Sequence, residues 1–347
     1  FVSLCLFMSL LSPVFGDENS AVSFDKELSE NNIVTIQPDS LRILHNPLTG
    51  WVLYASMGVD AADFWAQYDH MYIPELGHNV SVTDYAHTLY IRASWTDFNP
   101  QEDVYGWKID SNLRAYIEGA YQRNMRLAFR VVVDSRDKRT EFTPQFVKDA
   151  GAKGFMNKGK WSPYSDDPVF QKYYTKFVKA LAKDFNDPSK VEFIDGFGLG
   201  KWGEYHTMIY STGDDTPKKA VFNWVTDIYS QAFDKVPVVI NYHRWIGAGK
   251  DWVDDEHFAA DSEEMLEEAI KKGYSLRHDA FGMTTYYGSW ERRFAEKYRN
   301  ICPIIMEGGW IVKSHNYWQD PRGYRKDSHE DVRRGEFDDS KEAHVNM

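Results

Sequence analysis

Strand-length apolar runs alternate with amphipathic helical stretches along most of this chain, and that order calls for a sheet covered by helices. The runs are 50–56, 87–95, 126–134, 191–199, 236–242, 278–285 and 303–307. Helical patterns lie near 111–124, 168–186, 217–234, 261–273 and 289–299. Asp110 or Ser111, Asp167, Thr216 and Asp261 stand where N-cap side chains are needed. Several runs are almost continuously apolar, as parallel strands are when helices cover both faces. The units recur roughly every 35–45 residues, a spacing that predicts an α/β fold of the (β/α)8 TIM-barrel type, with an open doubly wound sheet as the alternative. After the seventh run, "HEDVRRGEFDDSKEAHVNM" reads as the following helix, and no eighth strand remains. The expectation is therefore a barrel domain over 46–347 that lacks its eighth strand, with a β-rich C-terminal domain missing from this sequence.

The opening residues 1–16 hold an apolar run followed by Pro13 and Gly16. A run of about 11 residues has the length of a signal-peptide core and is too short to cross a bilayer. A partial signal peptide over 1–16 and an N-terminal segment over 17–45 leading into the barrel are expected, which places the protein outside the cell, in the periplasm or on the cell surface. No membrane span is expected in the mature protein. Cys5 would leave with the signal, and Cys302 alone cannot form an intramolecular disulfide. The net charge is −12 with Lys and Arg scattered, so no basic footprint for nucleic acid is present.

"GFGLGKWGEYH", residues 196–206, contains a formal G-x-G-x-x-G match in Gly198, Gly200 and Gly203. A dinucleotide site needs those glycines to open a helix directly, with an acidic residue about 20 positions later at the end of the next strand. Here Gly203 leads into Glu204, Tyr205, His206 and a polar loop, and the helical pattern resumes only near 217. The glycines are better read as permitting close backbone approach at a strand end, where a barrel builds its catalytic face, with Glu204 presented there. "CPIIMEGGW" repeats the arrangement: an apolar strand delivers Glu307, followed by two glycines and Trp310. A carboxylate closing a buried strand is costly unless paired or used. Two of them facing one barrel mouth is the arrangement that glycoside hydrolysis requires.

Glu at the end of the fourth strand and Glu at the end of the seventh resembles the "4/7" superfamily of retaining TIM-barrel glycoside hydrolases, the clan that includes β-galactosidase-like barrels. The resemblance implies that Glu204 is the acid/base and Glu307 the nucleophile. It matches Arg92 in "YIRASW" to the arginine near the end of strand two, and Tyr286 or Tyr287 in "GMTTYYGSW" to the tyrosine near the end of strand six. "WTDFNPQEDVYGWKID" (95–110) is similar to the segment after strand two in many members. "HNPLTGW", "GKWGEYH" and "MEGGW" resemble secreted proteins of the DUF4832 type. The clan has Asn immediately before the acid/base, and Gly203 occupies that position here; Asn241 or His243 from "VINYHRW" is the expected substitute.

The catalytic expectation is thus Glu204 and Glu307, with Arg92, Trp95, Arg130, Trp202, His206, Asn241, His243, Tyr286 and Trp310 binding a carbohydrate substrate. Arg92 is expected to keep Glu307 ionised while Glu204 holds a proton. Neither cofactor nor metal is called for. Two other readings stand beside this one. A metal-dependent barrel hydrolase would use Glu204, His206, His243 and Asp279, although no H-x-H closes the first strand and no H-E-x-x-H is present. A non-catalytic carbohydrate-binding barrel would need only stacking surfaces such as Trp95, Trp202, Trp245 and Trp310.

Overall fold

The computed structural model describes residues 50–136, 140–249, 256–281, 287–308 and 329–346. The signal-peptide and N-terminal-segment expectations lie outside the described residues. Seven strands form one sheet: β1 (Trp51–Tyr54), β2 (Ala86–Ser94), β3 (Arg126–Val132), β4 (Val191–Asp195), β5 (Val238–Asn241), β6 (Ser275–Phe281) and β7 (Ile304–Gly308). They lie in sequence order and every neighbouring pair is parallel. Each strand is followed by a helix that returns the chain, such as Ser111–Gln122 after β2, Pro168–Phe185 after β3 and Lys218–Ala232 after β4.

The sheet curls into a barrel. Laid flat, β1 and β7 would be roughly 29 Å apart at the usual strand spacing. Instead one residue bridges them: Asn346 accepts from Gly50 N–H at 3.1 Å, just before β1, and donates to Ile304 O at 2.9 Å, at the start of β7. The interior gives the same answer. Val52, Tyr90, Ala128, Phe193, Val239 and Ile305 pack together, one from each of six strands. Such a ring exists only when the inward faces of distant strands meet. Among the described residues the sheet has seven strands.

Side chains alternate along a strand, so the residue two positions further on points inward again, one layer nearer the C-terminal rim. On those strands the step leads to Tyr54, Arg92, Arg130, Asp195, Asn241 and Glu307. The barrel therefore passes from an apolar floor to a charged layer within one step. The odd register flips outward: Phe129 packs on Phe98 and Phe185, in the main core between sheet and helices.

Local expectations meet the structure unevenly. Asp110 and Asp167 cap their helices by accepting from Leu113 and Phe170 N–H. Thr216 does not cap, because the helix Lys218–Ala232 starts after Pro217 with no side-chain cap. Asp261 is not a cap either; it lies inside the helix Glu256–Lys271 and pairs with Lys218 at 2.7 Å. β4 stops at Asp195 rather than near 199, since the glycine-rich stretch turns away from the ladder. β6 begins at Ser275, three positions before the expected 278, because Leu276 and Arg277 pair with both neighbours. The helix Ala61–Asp69, capped by Asp60, and two small hairpins (Met71–Ile73 with His78–Val80, Gly154–Asn157 with Lys160–Pro163) have no counterpart in the apolar pattern. No helix among the described residues is long and apolar enough to cross a membrane.

The floor supports the charged layer through Tyr90, whose hydroxyl donates to Asp195 across the barrel. Tyr90→Phe should cost on the order of 1–3 kcal/mol in denaturant unfolding, because a buried carboxylate oxygen loses its donor while the ring packing is kept.

Candidate active site

The loop after β4 is built to present Glu204. Gly198 has φ +67°, and a Cβ there would meet Val131 O at 2.0 Å, so only glycine fits. Gly200 and Gly203 are also left-handed, and so are three non-glycine residues, Trp202 (φ 59°), Tyr205 (φ 60°) and Thr207 (φ 50°). Non-glycine residues in this region store strain that the surroundings must enforce. Tyr205 provides the anchor: its ring is fully buried against Phe197 and Phe222. Four of the loop's amides are spent within it, Lys201 N–H on His206 O, Gly203 N–H on Gly200 O, Glu204 N–H on Lys201 O and Tyr205 N–H on Leu199 O. A short 3-10 turn covers Lys201–Gly203, and the next α-helix starts only at Lys218. The loop lacks the helix start that a pyrophosphate uses.

Glu204 faces Arg130 at 3.5 Å, Arg92 at 3.8 Å and His206 Nε2 at 3.3 Å. Arg92 is held by donating to Trp202 O at 2.7 Å and to Tyr54 Oη at 3.3 Å. His243 Nε2 lies 2.9 Å from Glu204 O and supports the backbone there. Trp202 lies edge-on to His206, with Lys201 Nζ 4.2 Å from its ring centre.

Glu307 is delivered at the end of β7, and its partner is Arg277, with Nη2 at 2.5 Å from Oε2. The expectation that Arg92 holds Glu307 is corrected: Arg92 reaches Glu204, and the arginine of β6 reaches Glu307. Arg277 also stacks over the Tyr90 ring at 4.7 Å and forms an ion pair with Asp279 at 2.8 Å. Arg130, fully buried, joins Asp195 at 2.8 Å and Asp279 at 2.6 Å. Arg130, Asp279 and Arg277 thus form a continuous bridge from Glu204 to Glu307. Both guanidiniums are held firmly charged by the aspartates despite their burial, and Asp279 is driven well below the usual carboxylate range by the two arginines, against its own burial.

The layer sets three guanidiniums, Arg92, Arg130 and Arg277, against four carboxyls, Asp195, Asp279, Glu204 and Glu307. The surplus appears at Glu307. Its proton affinity is pushed up to about 7, first by burial and then by the Asp279 charge, with Arg277 and Arg130 opposing and Glu204 adding to the rise. This runs against the expectation that Glu307 is held ionised.

Asn241 is buried at the end of β5, its Nδ2 3.4 Å from Asp279 and its Oδ1 without a hydrogen-bond partner. Trp95 is corrected outright. It is 0% exposed, wedged among Phe146, Phe170, Tyr174 and Phe177 on the helical side, and offers no face to a sugar. Trp245 is likewise buried, between His243 and Arg244. Tyr286 and Trp310 lie outside the described residues. Tyr287 is described and is buried against Tyr242, His278 and Phe281. Among the described residues no three His, Cys, Asp or Glu side chains gather as a metal site. Sequence reading passed over Tyr54, Asp195 and Arg277, and gave Asp279 a different role; the alternation from Ile305 to Glu307, applied to every strand, points to most of them.

No family model matches the chain, and no curated protein sequence does. Among solved structures it is similar to an exo-beta-1,4-mannosidase from Opitutaceae bacterium strain TAV5, at 12% identity and TM-score 0.47, covering 86% of this chain and 50% of that one. It is also similar to a GH10 protein from Paenibacillus barcinonensis, at 12% identity and TM-score 0.47, covering 85% and 80%. A third is endo-glycoceramidase II from Rhodococcus sp., at 14% identity and TM-score 0.41, covering 78% and 73%. This chain spans half the length of the mannosidase. These are distant likenesses, and the barrel described above stands on its own strand order and interior.

Two outcomes follow from the site. Trp95→Ala should destabilise the fold by about 3–5 kcal/mol in denaturant unfolding, with little effect on ligand affinity in the folded fraction. Glu307 binds its proton more tightly folded than unfolded, so its contribution to stability is full below about pH 4.5 and is lost as pH rises through about 7. The thermal midpoint of the wild type should fall across that window, by a free-energy equivalent on the order of 1–2 kcal/mol after solvent screening. Glu307→Gln should flatten that slope.

Proposed function

We propose that this protein is a glycoside hydrolase that cleaves an oligosaccharide or polysaccharide with Glu204 and Glu307, and that it acts outside the cytoplasm. One observation carries the reading: two carboxyls, Glu204 on the loop after β4 and Glu307 at the end of β7, are joined through one buried Arg–Asp–Arg bridge. Two carboxyls reached through one buried bridge suit acid-assisted displacement at an anomeric carbon. Following the strand positions, Glu307 attacks the anomeric carbon and Glu204 protonates the leaving oxygen, then activates water to release the sugar. Arg92, Trp202, His206, Asn241 and His243 are the candidate groups for orienting the sugar, with Tyr54 added at the first strand. The half-exposed Tyr54 ring and the unpartnered Asn241 Oδ1 suit a ligand that is both flat-faced and rich in hydroxyls. The likeness of the sequence to secreted DUF4832-type proteins fits the same assignment.

Because Glu307 must give up its proton before it attacks, kcat/KM on an aryl glycoside should rise with pH through about 7. Glu307→Gly should lower kcat by roughly 10³-fold or more. Azide added to Glu204→Ala should yield a glycosyl azide of retained configuration, and added to Glu307→Gly one of inverted configuration. The opposite pair of products would exchange the two roles. Turnover of no glycoside by the wild type across a broad panel of aryl glycosides and glycans would remove the hydrolase reading.

A further inference from the structure

We propose that Asp279 is a positioning residue for the carboxyl pair: seated between Arg130 and Arg277, it governs how much of each guanidinium's charge reaches Glu204 and Glu307. The inference rests on the hydrolase reading for what the pair does, and on contact geometry alone for how Asp279 acts on it.

Each arginine is divided between Asp279 and one member of the pair. Arg130 Nη1 is 2.6 Å from Asp279 Oδ2 and 3.5 Å from Glu204 Oε1. Arg277 holds Asp279 Oδ1 at 2.8 Å through Nε and Glu307 Oε2 at 2.5 Å through Nη2. Asp279 uses both oxygens in this way and is almost fully buried, so water does not screen it. Asp195 shares the same two arginines through their Nε atoms, at 2.8 Å and 3.4 Å, whereas Asp279 takes the Arg130 Nη1 that also faces Glu204. Asp279 is the carboxylate placed to compete with the pair.

The groups facing Glu307 all come from identifiable elements. Arg277 and Asp279 project from β6, Arg130 from β3, Glu204 from the loop after β4, and Tyr54 from β1. Arg333 and Glu336 of the helix His329–Ala343 stand beside the adjoining Gly308. After burial, the Asp279 charge is the largest influence raising the proton affinity of Glu307. Neutralising Asp279 removes that repulsion and leaves Arg277 to Glu307 undivided. Both changes favour the carboxylate, so they add.

The test titrates the carboxyl itself and needs no substrate. In protein labelled with 13C at glutamate carboxyls, the Glu307 resonance is the one lost in Glu307→Gln. In the wild type its midpoint is expected near 7. In Asp279→Asn it should fall by about one pH unit or more, and in Asp279→Glu, which keeps the charge, it should return toward the wild-type value. A folded Asp279→Asn protein with an unmoved Glu307 midpoint would overturn the proposal. Should Asp279→Asn not fold, Asn241→Asp adds a carboxylate beside Asp279 and should move the midpoint upward; no upward movement overturns it equally. If the protein hydrolyses glycosides, the acid limb of kcat/KM should shift with the resonance, and lost activity with an unshifted limb would mark Asp279 as merely structural. If it hydrolyses none, the hydrolase reading fails while the titration still decides this one.

Discussion

Two arginines and two aspartates, locked together inside the barrel, set the terms for everything above them. Arg130 and Arg277 are each almost wholly buried, and either one alone would carry a prohibitive desolvation cost. Asp195 and Asp279 offset it with contacts of 2.6–3.4 Å to both. Arg130 of β3 meets Asp279 of β6, and Asp195 of β4 meets Arg277 of β6, contacts between non-adjacent strands that need a curled sheet. Their floor is the apolar ring, and Tyr90 joins the two layers by donating to Asp195 while Arg277 stacks on its ring. Burying a network of this kind contributes less to stability than an apolar layer of the same volume would. Its gain is that guanidiniums stand at fixed positions beneath Glu204 and Glu307.

The site combines that rigid base with a strained loop. Between Gly198 and Thr207 the chain repeatedly enters the left-handed region, including at Trp202, Tyr205 and Thr207, where side chains make it costly. What holds it there is visible: Gly198 against Val131 O, the buried Tyr205 ring, and amides closed on the loop's own carbonyls. A loop so determined does not need ligand to shape it. It delivers Glu204 toward Arg92 and Arg130, and the nearby Trp202 carbonyl fixes Arg92 in turn.

Charge balance explains why the proton rests where it does. Four carboxyls over three guanidiniums leave one negative charge too many, and the member with one arginine contact among the described residues and a neighbouring aspartate gives way. Glu307 meets that description; Glu204 lies between Arg92 and Arg130. Strand position and electrostatics thus pull on the two residues from different sides.

Much of the architecture was legible in the residues. Alternating apolar runs and helical stretches specified seven β/α units, because backbone burial on both faces admits few residue types and helices need a one-sided stripe. Glu204 and Glu307 stood out because a carboxylate ending an apolar strand is rare without a reason, and the glycine spacing before Glu204 failed the helix-start requirement of a nucleotide site. The partners of those glutamates were not legible. Arg277 meets Glu307 from a neighbouring strand and Tyr90 reaches Asp195 across the interior, contacts set by strand register and sheet curvature, which no local pattern encodes. Trp95 shows the opposite failure: its place just past a strand end suggested the rim, yet the short helix Trp95–Phe98 turns its ring into the helical core. Sequence alone determined which strands carry charge at their ends. Tertiary structure decided which charges meet, because the sharing of two guanidiniums among four carboxyls depends on ångström-scale distances that exist only after the barrel closes.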